Sequence, residues 1–275
     1  MPAITAVVDG HVHIHACYDL DRFFDSAHHN LSSSVLNGRS ASETEFFLLF
    51  TECEGDDFFG ALRALASNKS ASLPAPKNWT LQLTEEEGSL TAVSGMRRLQ
   101  LIAGRQVACK EGLEVLLLAT TQRFKDRRSI REVLAEARQL NLPHVLPWGA
   151  GKWFFKRAKL LSQLLKDHQA PMFFLGDEGG RPGFWPYPSH FREGAGLGVR
   201  DLPGTDPLPF PHDVDKVGKM GFRIPVDFDP RRPAISIVRS LGNREMRIDR
   251  FARLEPPLRF VQNQVAMQLR KRQSA

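Results

Sequence analysis

Cysteine is scarce in this 275-residue chain: Cys17, Cys53 and Cys109 are an odd number, and no CxxC pair occurs. That argues against a disulfide framework and a thiolate zinc site, and it suits a reducing, cytoplasmic setting. Long apolar runs are missing too. FFLLF at 46–50 and VLLLA at 115–119 stop at about five residues, against the ~20 that a bilayer span requires. Polar residues interrupt the chain from Asp9 onward, so neither an N-terminal signal nor a membrane span is expected. There is no basic stripe interleaved with aromatics and no recognisable nucleic-acid module, so nucleic acid is not an expected partner. The GxxxxGK[ST] spacing of a P-loop is absent. No Ser-His-Asp or Cys-His grouping supports a protein nucleophile, and Cys17 and Cys109 read as small buried hydrophobes.

What is present is ordinary globular composition, 42% apolar and 25% charged. Thirty-seven Lys and Arg against 31 Asp and Glu leave a net charge of +6, a surplus that weakly favours anionic ligands. Some of it sits in Arg270, Lys271 and Arg272, read as a solvated helix end. Apolar runs alternate with helical spacing along the chain. Residues 6–14 and 45–51 read as buried strands, and 56–66 as a helix with an acidic start. Short alternating runs between 79 and 119 read as hairpins. Ser129 followed by Glu132 is a capping-box pattern opening a helix at 129–140, and 152–168 is a basic amphipathic helix read as an outer helix. Strands alternating with helices imply a parallel sheet with crossovers in a single α/β domain.

The most informative segment is Asp9-Gly10-His11-Val12-His13-Ile14-His15. On a strand the three histidines share one face. Two imidazoles two residues apart can reach one ion, and neutral imidazole suits Zn, Fe, Ni or Mn. A structural reading needs a satisfied hydrogen-bond set for each ring.

An apolar strand ending in Asp-x-His-x-His resembles the metal-hydrolase barrels of the amidohydrolase and PHP (polymerase-and-histidinol-phosphatase) families. The resemblance implies that His11 and His13 hold a divalent metal, Zn, Mn or Fe, at the mouth of a distorted TIM-like (β/α) barrel of seven or eight strands. A β-hairpin-rich insertion is expected at 68–98 and a basic helix or tail at 259–275. Further segments echo the PHP order. Thr51-Glu52-Cys53 stands where that family has Thr-Asp-His, so Glu52 is the implied ligand and Cys53 a further candidate. Gln106 stands where a metal-binding Glu is implied. Gly204-Thr205-Asp206 matches the late Gly-Ser-Asp tip, but no histidine follows. Asp206 is thus implied as a ligand or as the general base. The thinned set favours one metal over three.

Two loops at strand tips complete the reading. Trp148–Trp153 lies between a strand and a helix start, where Lys152 offers a point charge to an anionic group; a plain tight turn with a solvated Lys152 is the alternative. In Asp177-Glu178-Gly179-Gly180-Arg181, Asp177 or Glu178 reads as ligand or base and Arg181 as an anion clamp, against a simple turn-forming loop. His144 and His168 are weak ligand candidates. The expected function is metal-dependent hydrolysis of a phosphoester or C–N bond in a small anionic substrate. Lys152, Arg181 and Asp177 would contact that substrate, with Lys152 and Asp206 in the chemistry. The alternative is a barrel that has lost catalysis and serves as a binding or accessory protein.

Overall fold

The structure, a computed structural model, describes residues 4–35, 43–167 and 171–273. Its central strand is β1 (Ile4–Val12), buried along nearly its whole length. A strand covered on both faces reads as a continuous apolar run, and ITAVV does so. β1 pairs in parallel with β2 (Thr44–Phe50) and antiparallel with β11 (Met220–Val226). On the far side of β11 lies β12 (Asp249–Ala252). Beyond β2 come β5 (Arg97–Ile102), β4 (Ser89–Ser94) and β3 (Thr80–Leu83), making seven strands. The hairpin residues expected as an insertion therefore extend this main sheet.

A second sheet of five strands runs in the order β10 (Arg200–Asp201), β9 (Phe173–Gly176), β8 (His144–Pro147), β7 (Glu114–Leu118) and β6 (Gly104–Ala108). The expected single barrel is not what forms. The ladders stay separate, and the sheets meet through isolated bridges such as Glu52 to Arg105, with Gly10 N–H donating to the Pro203 carbonyl on the other side. Strands as short as β10 offer too few ladder bonds to carry a closed barrel.

Three apolar layers follow from this layout. The inner one lies between the sheets and joins Val8, Phe47, Leu116, Phe174 and Phe222. An outer layer packs the first sheet against α1 (Leu20–Ser32) and α2 (Phe58–Ala66). Another packs the second sheet against α3 (Ile130–Gln139), α4 (Lys156–Asp167) and α5 (Ser189–Gly196). α6 (Pro233–Gly242) adds Ile237 and Leu241 to the inner layer, and α7 (Pro257–Gln273) follows β12. The capping box at Ser129 is replaced by a longer reach. The Glu111 carboxylate accepts from Ser129 Oγ and from Ile130 N–H, placing a full negative charge at the α3 N-terminus. Cys109 is buried as expected, whereas Cys17 is exposed. No helix among the described residues is long and apolar enough to cross a membrane.

Candidate metal centre

The site begins with a break in the β1 alternation. Ala6 and Val8 face the inner layer and Val7 the outer one. Strict alternation would send His11 and His13 outward beneath α1. Instead Asp9 pairs with Leu48 and Val12 with Phe50, so three steps on β1 match two on β2. This bulge inverts the phase. Val12 and Ile14 now join the outer layer, and both histidines turn inward. Gly10 is required at the bulge: a Cβ there would lie 2.8 Å from the Pro203 oxygen and 3.1 Å from the Phe222 ring.

His11 Nε2 and His13 Nε2 lie 3.0 Å apart, and Asp206 Oδ1 lies 3.5 Å and 3.4 Å from them. Donors held at 2.0–2.1 Å around one tetrahedral ion stand about 3.3 Å apart. The triangle therefore has the size of one face of such a shell, and two imidazoles with one carboxylate form a reasonable donor set for Zn, Mn or Fe. Burial, helped by neighbouring His11, pushes the His13 pKa down to about 3, which keeps the ring neutral and its lone pair available. Asp206 reaches the histidines because its backbone adopts a left-handed φ of 44° while its N–H donates to the His11 carbonyl at 2.8 Å. Buried Asp9 holds the pieces together. It accepts from Thr205 N–H and Oγ1, Gly218 N–H and His11 N–H. Burial nevertheless raises its pKa to about 7.

Side-chain phase decides what else faces this triangle. Gln106 Oε1 sits 3.1 Å from His11 Nε2, and Thr51 Oγ1 sits 3.4 Å from His13 Nε2. Glu178 is buried beside Asp206, and its Oε2 has no hydrogen-bond partner. Burial and the nearby Asp206 charge hold the Glu178 pKa well above the ordinary value. Burial also works against the Asp206 charge, but His11, His13, Glu178 and Lys152 outweigh it and depress the Asp206 pKa. Lys152 Nζ pairs with Glu114 Oε2 at 2.5 Å. Burial opposes its charge as well, yet Glu114, Glu178 and Asp206 keep it protonated above the usual lysine range.

Thus His11, His13 and Asp206 come together, with Lys152 at the edge. The other expected site residues are placed elsewhere. Glu52 has the phase of Phe50, the outer one. Its carboxylate is taken by Arg105 at 2.6 Å and by Phe59 N–H at the start of α2, so it is an anchor rather than a ligand. Asp177 points to the outer layer, as Leu175 does. Arg181 binds it through two bonds, at 2.9 and 2.8 Å, and Arg250 adds a third at 2.7 Å. Asp177 and Arg181 therefore neutralise each other and neither is offered to a substrate. Alternation from Phe174 through Gly176 to Glu178 was the signal that chose the other acid. Burial raises the Cys53 thiol to about 12, which disfavours a thiolate ligand. His15 bonds the Pro207 carbonyl, and His144 Nδ1–H donates to the Leu142 carbonyl. His168 lies outside the described residues.

No protein-family model matches this chain, and no curated protein matches it in sequence. Solved structures do. PsfC from Pseudomonas syringae PB-5123 superposes with a TM-score of 0.56 at 16% identity, over 100% of this chain and 99% of that one. The lesion-specific endonuclease PfuEndoQ from Pyrococcus furiosus gives 0.49 and 13%, over 89% of this chain. Endonuclease Q in complex with a 27-mer duplex substrate carrying an abasic lesion gives 0.44 and 12%, over 87%. This chain spans 58% and 56% of those two proteins. The expectation that nucleic acid is no partner is withdrawn: two of these structures are of endonucleases, and one of them holds a 27-mer duplex substrate. At these identities the likeness is one of fold: a mixed α/β architecture of two sheets, with no closed barrel.

Proposed function

We propose that the chain is a metal-dependent hydrolase of the PHP type acting on a phosphoester. The observation that carries this is the triangle of His11 Nε2, His13 Nε2 and Asp206 Oδ1, each side no longer than 3.5 Å. A divalent cation bound by these three residues would supply Lewis acidity and lower the pKa of water toward neutrality. Asp206, held anionic, suits a ligand better than a base. In this reading Glu178, whose pKa is raised by burial and by the Asp206 charge, donates a proton to the leaving oxygen. Lys152, kept charged by Glu114, Glu178 and Asp206, stabilises negative charge on a phosphoryl group. That charge favours a phosphoester over a neutral C–N substrate.

A second reading has its own observation. Gln106 places a neutral amide beside His11, where the family resemblance implies a carboxylate. In that reading the chain binds a cation and an anion without turnover. The test is elemental mass spectrometry of protein purified without chelator, followed by assays with a nitrophenyl phosphodiester, a phosphomonoester and single-stranded DNA. About one equivalent of metal, lost in His13→Ala together with cleavage of any of these, is the expected result. Metal without cleavage supports the second reading, and no metal under any loading condition overturns both.

A further inference from the structure

On the other side of the Gly204–Asp206 segment lies a separate cleft of about 220 Å³. Thr205 contributes to its wall, and Lys216, Lys219, Arg253 and Arg259 surround it with a single carboxylate, Glu255. Lys216 is 7% exposed and already committed, to Asp213 at 3.3 Å and Glu255 at 2.5 Å. That pairing spends the negative charge of the cleft. Arg259 touches Glu255 only at 3.7 Å and the His212 carbonyl only at 3.5 Å, both at the edge of useful geometry. Arg253 N–H donates to the Lys219 carbonyl at 3.1 Å, which sets these two residues side by side. Among the described residues neither Lys219 nor Arg253 has an ion-pair partner. Like charges held together without a counter-charge are unfavourable, and an anion between them removes that cost.

We infer that this cleft binds a phosphate group, held by Lys219, Arg253 and Arg259. Cations arriving from the turn before β11, the end of β12 and the first turn of α7 suit a tetrahedral anion with several acceptor oxygens better than a planar carboxylate. The cleft shares no residue with the metal triangle, so the inference goes beyond the proposed hydrolysis and stands without it. The phosphate can belong to a small compound or to a nucleic-acid backbone.

The experiment is calorimetric titration of the whole chain in the presence of chelator, with inorganic phosphate and with a short single-stranded oligodeoxynucleotide as probes. His13→Ala is expected to bind as the wild type does. Lys219→Gln combined with Arg253→Gln is expected to bind at least about tenfold more weakly. Thermal melting of the variant confirms that it is folded, and Arg259→Gln serves as a second variant if it is not. If the oligonucleotide binds more tightly than phosphate, and its salt slope falls by roughly 1.4 in the double variant, the source is a nucleic-acid backbone. If phosphate binds and the oligonucleotide does not, the source is a small phosphate compound. Failure of both probes to bind the wild type overturns the inference, as does wild-type affinity in the folded variant.

Discussion

At Asp206 the backbone occupies a region that asparagine and aspartate tolerate and β-branched residues do not. The residue thus has two separable duties, shaping the turn and presenting an oxygen. Asp206→Asn keeps the turn and loses the charge. It is expected to melt within a few degrees of the parent while metal affinity falls by more than about a hundredfold. Asp206→Val should lose affinity and also about 1–2 kcal/mol of stability, which a denaturant titration reads. The neighbouring acids separate in the same way. Glu178→Gln should lower kcat by about a hundredfold or more with the fold intact. Asp177→Asn should instead destabilise by roughly 3 kcal/mol, because Arg181 and Arg250 lose their shared partner. Equal kinetic losses in the two variants would refute the assignment of roles.

Elements decide how much of this was readable beforehand. The histidines were legible because Asp-x-His-x-His at the end of ITAVV is a local pattern. The inward turn of those histidines was not, because it depends on a bulge whose evidence is the pairing of β1 with β2, some 40 residues on. Glu52 was misread for a related reason. Residue matching placed it in the site, while the alternation that continues past the end of β2 placed it under α2, next to an arginine that nothing local reveals. Glu178 was legible in principle from alternation along β9. The strand β8 carries a pH dependence of its own. His144, 2% exposed, has its pKa pushed down by burial to about 4. Between pH 6.5 and about 4 the unfolded chain binds a proton that the folded chain refuses. The contribution of His144 should therefore fall with pH across that window, by roughly 3 kcal/mol, and level off below it, while buried Asp9 acts with the opposite sign and His13 with the same sign. Urea titrations of the parent and of His144→Gln at stepped pH should differ by an amount that shrinks across this window and is constant below it.

At the scale of the molecule, the fold class was legible from alternating strands and helices, but closure was not. Whether short strands join one ladder or two depends on register across distant segments. The seam between the sheets is held by few bonds, and the candidate metal set sits on it, with His11 from the end of β1, His13 just beyond it and Asp206 from the 204–206 segment. A cation there ties the seam, so added metal should raise the melting temperature. At a free concentration about a thousand times Kd the stabilisation is roughly 4 kcal/mol. Differential scanning calorimetry with and without chelator reads it, and His13→Ala should show no difference between the two conditions. The bulge at Gly10 has an evolutionary corollary. Ordinary drift changes one side chain at a time, but removal of this one codon would take out the extra residue, and β1 would then alternate strictly with both imidazoles still in the inward phase of Val8. A relative with a gap at this position can thus keep the centre on a plain strand, so the histidines trace its ancestry better than the glycine beside them does.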